Sequence, residues 1–159
     1  MSLLRFLMFL ALAVWVGGII LFIVLAPTAF SVLPTHAMAA LIVGSMLKKL
    51  HWIGIGAGIV FLLSSLLLAK FTKARLPFLS AEHILIYFML AFTCISQFVV
   101  MPRMAELRES VGDIDLLSLG DPIRLHFNAL HVWSTRLEGA VLVFGLLVLY
   151  LAAKGCKNQ

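Results

Sequence analysis

The chain has 159 residues, of which 63% are hydrophobic and 12% charged, with a net charge of +5. Soluble domains are nearer half apolar, and a chain of this size with a mean hydropathy of +1.12 cannot hide its apolar surface in one core, so lipid must cover part of it. A soluble domain is excluded. No nucleic-acid-binding face is indicated either, because the basic residues sit in short caps between apolar runs, where they read as topology signals and headgroup contacts.

The first apolar run predicts a membrane span over 4–26, ended by Pro27, which continues a helix poorly. With Arg5 ahead of it, the run imitates a signal peptide. It is longer than the usual apolar region of one, and Pro27 falls where cleavage after Ala26 would occur, so it reads as a retained helix. Pro34 to Lys49 is rich in Ala, Leu and Met, which predicts a short interfacial helix between the first two spans. The second span is 50–69, bracketed by Lys48-Lys49 and Lys70. A basic turn, KFTKARLPF, leads to a third span over 82–101 that ends at Pro102-Arg103. The one polar segment, Arg103 to Arg124, carries five acids and three arginines. It reads as a helical extension followed by a loop around Gly112 and Gly120-Asp121-Pro122. The fourth span covers 127–153.

The expected architecture is therefore all-α: a single polytopic membrane domain, 1–159, folded as a four-transmembrane-helix bundle. Each half has a span ending at proline, a polar connection and a span opened by Leu-His (Leu50-His51, Leu130-His131), which raises two tandem two-helix repeats as an option. Lys and Arg divide six (Arg5, Lys70, Lys73, Arg75, Lys154, Lys157) against five (Lys48, Lys49, Arg103, Arg108, Arg124). The first set is packed into shorter segments and favours cytoplasmic N- and C-termini, as in a bacterial inner membrane.

Ionisable groups within spans are costly and usually face a bundle interior. On the fourth span His131, Ser134, Thr135 and Glu138 form one stripe, with Arg136 pointing elsewhere. On the third, His83, Tyr87, Leu90, Cys94, Gln97 and Met101 form another. On the second, His51, Gly54, Ile55, Gly58 and Ser65 form a third, whose small residues allow close helix approach. Met8, Trp15, Gly17 and Gly18 stand on the first. His51 and His131 open neighbouring spans on one side. They are candidate axial ligands for a b-type haem, or ligands for copper, with Ser134 and Glu138 supporting them. Imidazoles that bond a backbone carbonyl, a water or Glu138 account for the same positions. A bare carboxylate at Glu138 is expensive, so it is either protonated or paired with His51, His131 or Arg103. It could relay protons or serve as a buried hydrogen-bonding group. His36 and Met38, with Met46, resemble soft-metal ligands for Cu(I); an interfacial helix with outward methionines explains them equally. Trp52 and Trp133 read as interfacial anchors. Cys94 and Cys156 make no disulfide framework, and Cys156 is either a free tail thiol or an acylation site. No nucleotide-binding loop, nucleophile elbow, zinc-protease or Cys-x-x-Cys motif is present, so no catalytic residue is assigned.

Trp15-Val16-Gly17-Gly18, Ala26-Pro27 with Phe30, Pro102-Arg103 with Leu107-Arg108, and Phe127, Leu130-His131, Ser134 and Leu137 together resemble a bacterial family of unknown function grouped with eukaryotic transmembrane protein 205-like proteins. The resemblance spans most of the chain and implies a small four-helix membrane protein, with no activity to transfer. The family more often has a neutral polar residue where this chain has Glu138, which puts any carry-over at that site in doubt. There is a more distant similarity to copper-resistance membrane proteins and to haem-dependent protoporphyrinogen oxidases. Three functions are therefore expected: an accessory or cofactor-binding subunit, a purely structural subunit of a larger complex, and a porphyrin oxidoreductase. Expected partners are the lipid bilayer and either other membrane subunits or further copies of the chain.

Overall fold

The computed structural model describes residues 2–72 and 79–157, with 155–157 as backbone only. It forms helices α1 (Ser2–Val32), α2 (His36–Thr72), α3 (Ala81–Ile95, continued through a wide π turn at Ser96–Val100), α4 (Met101–Val111) and α5 (Pro122–Lys157), with a one-turn 3₁₀ element at Ile114–Leu116. No strand occurs among the described residues. Four helical segments, counting α3 to α4 as one, are long and apolar enough to cross a bilayer. Lys73, Arg75 and most of the basic turn lie outside the described residues, as do the side chains of Cys156 and Lys157.

The helices are longer than the apolar runs predict, for local reasons. Pro27 does not end α1 but lies inside it. A proline ring costs the helix one hydrogen bond and crowds the carbonyl four residues back. At the next residue, the Thr28 hydroxyl donates to the Val24 carbonyl at 2.7 Å. The chain turns instead at Leu33-Pro34-Thr35, where Thr35 Oγ1 accepts from the Met38 amide at 3.2 Å and caps α2. The segment expected as a separate interfacial helix is indeed helical, but it is the first third of α2, fused to the second span without a break. Its Ala- and Leu-rich sequence offers no residue to stop it.

Pro102 likewise does not end the third span. It enters as the first turn of α4, directly after the π turn. An unbroken α-helix would set its ring against the Phe98 carbonyl; the wider turn precedes that conflict. Gly112 ends α4 with φ +75°, a backbone angle that favours glycine. Asp121 Oδ1 then accepts from the Ile123 amide at 2.8 Å, and with Pro122 it starts α5 earlier than its apolar run does.

The core lies at mid-height. Leu12, Trp15 and Ile19 of α1 meet Ala57 and Phe61 of α2, Ile86 and Met89 of α3, and Val141 and Val148 of α5. Because lipid is as apolar as these side chains, tight packing holds the helices together, not escape from water. Trp15 supplies much of that packing. A Cβ added at Gly54 would lie 2.7 Å from its Cε2 atom, and one at Gly58 would lie 2.9 Å from its Cζ3. The glycines of α2 are the socket for the indole of α1.

Candidate functional site

Three rungs, each seven residues from the next, join α2 to α3 in antiparallel order. At one end His51 Nδ1 meets Gln97 Oε1 at 2.9 Å. In the middle, Leu90 sits against Gly58, where an added Cβ would be 2.6 Å from its Cδ2. At the other end His83 Nε2 meets Ser65 Oγ at 2.8 Å. Seven residues are about two helical turns, so each helix returns the same face to its partner. The interface is polar at both ends and apolar between.

The first polar end is the more elaborate. His51 is 1% exposed, and its Nε2 lies 2.6 Å from Glu138 Oε1 on α5. Side chains from two neighbouring helices therefore occupy both ring nitrogens. The Nε2–H donates to the carboxylate. At Nδ1 the amide of Gln97 can act in either sense: its oxygen accepts from a protonated nitrogen, and its NH₂, after a flip, donates to a bare one. His51 can thus be neutral or cationic with no hydrogen bond lost, which matters where an unpaired polar group is expensive. Ser96, next to Gln97 in the π turn, buries its hydroxyl without a partner.

At the second polar end, Ser80 Oγ lies 2.7 Å from His83 Nδ1 and Ser65 Oγ lies 2.8 Å from its Nε2. Hydroxyls both donate and accept, so this imidazole too is satisfied in either tautomer.

The residues expected to form the site are only partly brought together. Glu138, one of the supporting candidates, is paired with His51. Ser134 is buried one turn earlier on α5. His131 lies about two turns from Glu138 along the helix and is exposed, as is Thr135, whose hydroxyl donates to the His131 carbonyl at 3.0 Å. His131 lies on the Glu138 face of α5, but two turns beyond the buried centre. A haem or copper held jointly by His51 and His131 does not fit this arrangement: both ring nitrogens of His51 are engaged by Gln97 and Glu138, and His131 is exposed two turns away from that centre. His36 faces Asp115 at 3.6 Å with both side chains exposed, and Met38 is exposed beside it. Among the described residues, no group of three or more His, Cys, Asp or Glu side chains is placed to hold a metal ion.

Gln97, Ser65 and Ser80 are partners that the sequence did not assign. Gln97 and Ser65 do stand in the predicted stripes of α3 and α2, and the shared seven-residue spacing is the signal that pairs them. Trp52 and Trp133 are both exposed: Trp52 packs edge-on to Phe98, and the Arg136 guanidinium lies 5.8 Å from the Trp133 ring centre.

No curated protein and no solved structure matches the chain significantly. Residues 10–112 match the family described as a domain of unknown function, DUF4149. That stretch contains most of α1, all of α2, α3 and α4 and both histidine–partner rungs, but it stops short of Glu138. It covers well over half of the sequence, so the chain belongs to the DUF4149 family of uncharacterised proteins.

Proposed function

We propose that this four-span membrane protein is an accessory subunit whose Gln97–His51–Glu138 centre clasps α2, α3 and α5 together. The occupation of both His51 nitrogens, at 2.9 and 2.6 Å, carries the reading. A residue that only filled space would not be a histidine held from two helices. A ligand for iron or copper would keep one nitrogen free. Association with other membrane subunits or further copies, and a bacterial inner-membrane location, belong to the same proposal; cytoplasmic termini rest on the Lys and Arg distribution.

Ring-nitrogen NMR of histidine-labelled protein in lipid tests it. Expected are hydrogen-bonded shifts at both ring nitrogens of His51, Nδ1 changing when Gln97 is replaced and Nε2 when Glu138 is replaced. Shifts that ignore both replacements would remove the clasp. A Soret band or bound copper lost in His51→Ala would restore the cofactor reading and bring the porphyrin oxidoreductase back into consideration.

A further inference from the structure

Among the described residues, Ser96 alone encloses a side-chain polar atom that makes no hydrogen bond. Leaving a buried hydroxyl unpaired is costly, and helices offer an easy remedy. The hydroxyls of Thr28, Ser45 and Thr135 each turn back onto a carbonyl of their own helix three or four residues earlier. Ser96 does not, and the carbonyls within its reach, Phe92 and Thr93, already accept its own amide.

The register of α3 says where this hydroxyl points. Leu90 and Gln97, seven residues apart, both meet α2, at Gly58 and His51. Met89 and Ser96 make the same step on the adjoining face, in plain α geometry because the wide turn starts only at Ser96. Met89 meets α5: a Cβ added at Gly145 would lie 3.2 Å from its Cε. Seven residues back from Gly145 on the antiparallel α5 is Glu138. Ser96 therefore faces α5 at the level of Glu138. That carboxylate spends Oε1 on His51, and its Oε2 has no partner among the described residues. Ser134, one turn earlier on the same face, is buried as well, whereas buried Val141 on the other side of Glu138 offers only methyl groups. Side chains lean towards the N-terminus of their own helix. On antiparallel helices Ser96 and Glu138 thus lean apart and do not touch.

We propose that a single water molecule fills the space between Ser96 Oγ and Glu138 Oε2, donating to the carboxylate and bonding the hydroxyl, with Ser134 as a third polar neighbour. A buried water needs two to four polar partners, and this face of α5 and α3 supplies them. The water site extends the clasp and rests on that reading. The consecutive residues Ser96 and Gln97 reach Glu138 by two routes, one through water and one through His51, so α3 and α5 are tied twice.

Water-edited solid-state NMR of the full chain in lipid vesicles tests this. Magnetisation from water should reach Ser96 Cβ several-fold faster than it reaches Ile86 and Val148, which are as fully enclosed. Transfer to Ser96 no faster than to Ile86 overturns the proposal and leaves the hydroxyl to the Phe92 carbonyl. This comparison needs no substitution, so it decides the matter by itself should Ser96→Ala fail to fold. In folded Ser96→Ala the transfer at position 96 should drop to the rate of Ile86, and the carboxyl shift of Glu138 should move. Undiminished transfer there, or an unmoved Glu138 carboxyl, overturns the bridge. The His51 Nε2 shift keeps the two ideas apart. If it responds to Glu138→Gln while Ser96 stays dry, the water is lost and the clasp stands; if it does not respond, the clasp itself is lost.

Discussion

His51 and Glu138 are 87 positions apart in sequence, and their side chains meet at 2.6 Å inside the bundle. The contact closes α5 onto α2. Removing one partner leaves the other without its hydrogen bond in a largely buried setting, a loss that costs about 1–3 kcal/mol. Glu138→Ala and His51→Ala should each lower the melting temperature of the purified protein by several degrees. Glu138→Gln keeps an acceptor for Nε2–H and should recover most of the loss. If Glu138→Gln melts with Glu138→Ala, the hydrogen bond is not what holds the two helices.

Gln97 gives a separate readout. Gln97→Leu deprives Nδ1 of its partner in both protonation states. Gln97→Glu keeps an acceptor. The Nδ1 chemical shift of His51 should move in Gln97→Leu and largely return in Gln97→Glu. An Nδ1 shift unchanged in Gln97→Leu would remove Gln97 from the clasp.

The socket for Trp15 should be intolerant of a single methyl group. Gly54→Ala places a Cβ within 2.7 Å of Cε2 in a ring that has no flexible end to yield. Overpacking of this kind costs about 1–3 kcal/mol. Combining Gly54→Ala with Trp15→Leu should lose less stability than the two single changes added together, as a double-mutant cycle on thermal unfolding would show. Simple additivity would mean that the two residues do not press on each other.

At the far end of the bundle, Ser65→Ala removes the partner of His83 Nε2 in a buried setting, at a cost of about 1–3 kcal/mol. Ser80→Ala should cost less, because that contact is only partly buried. Equal losses from the two changes would contradict the placement of His83.

Much of this was legible in the chain, and the exceptions share a cause. Hydropathy located four spans because length and apolarity are properties of one segment at a time. It misjudged their ends at Pro27, Pro34–Lys49 and Pro102, where the local backbone decided: a proline tolerated inside α1, an uninterrupted helix former ahead of Leu50, and a wide turn ahead of Pro102. The stripes on α2 and α3 were likewise visible one helix at a time. Which stripe faces which depends on packing: the sequence offers both His131 and Glu138 as partners for His51, and the structure gives it Glu138 together with the unforeseen Gln97. The Leu-His repeat was a likeness of sequence. It does not carry over to burial: one of its histidines is enclosed and the other is bare.

The wide turn at Ser96–Val100 has a rotational consequence. In a straight α-helix the eleven residues from Gln97 to Arg108 come back within about 20° of the starting direction, so Arg108 would point where Gln97 points, towards α2. Five residues of π geometry lag by about a quarter turn. Arg108 instead reaches α5, its guanidinium 5.2 Å from the ring centre of Phe127. The turn works as a phase shifter, delivering a buried amide to one neighbour and a cation to another from a single run of chain. Deleting one residue there should restore plain α geometry and leave Arg108 still facing α5, because the lost step of about 100° matches the lag of the wide turn; an inserted residue should swing α4 away.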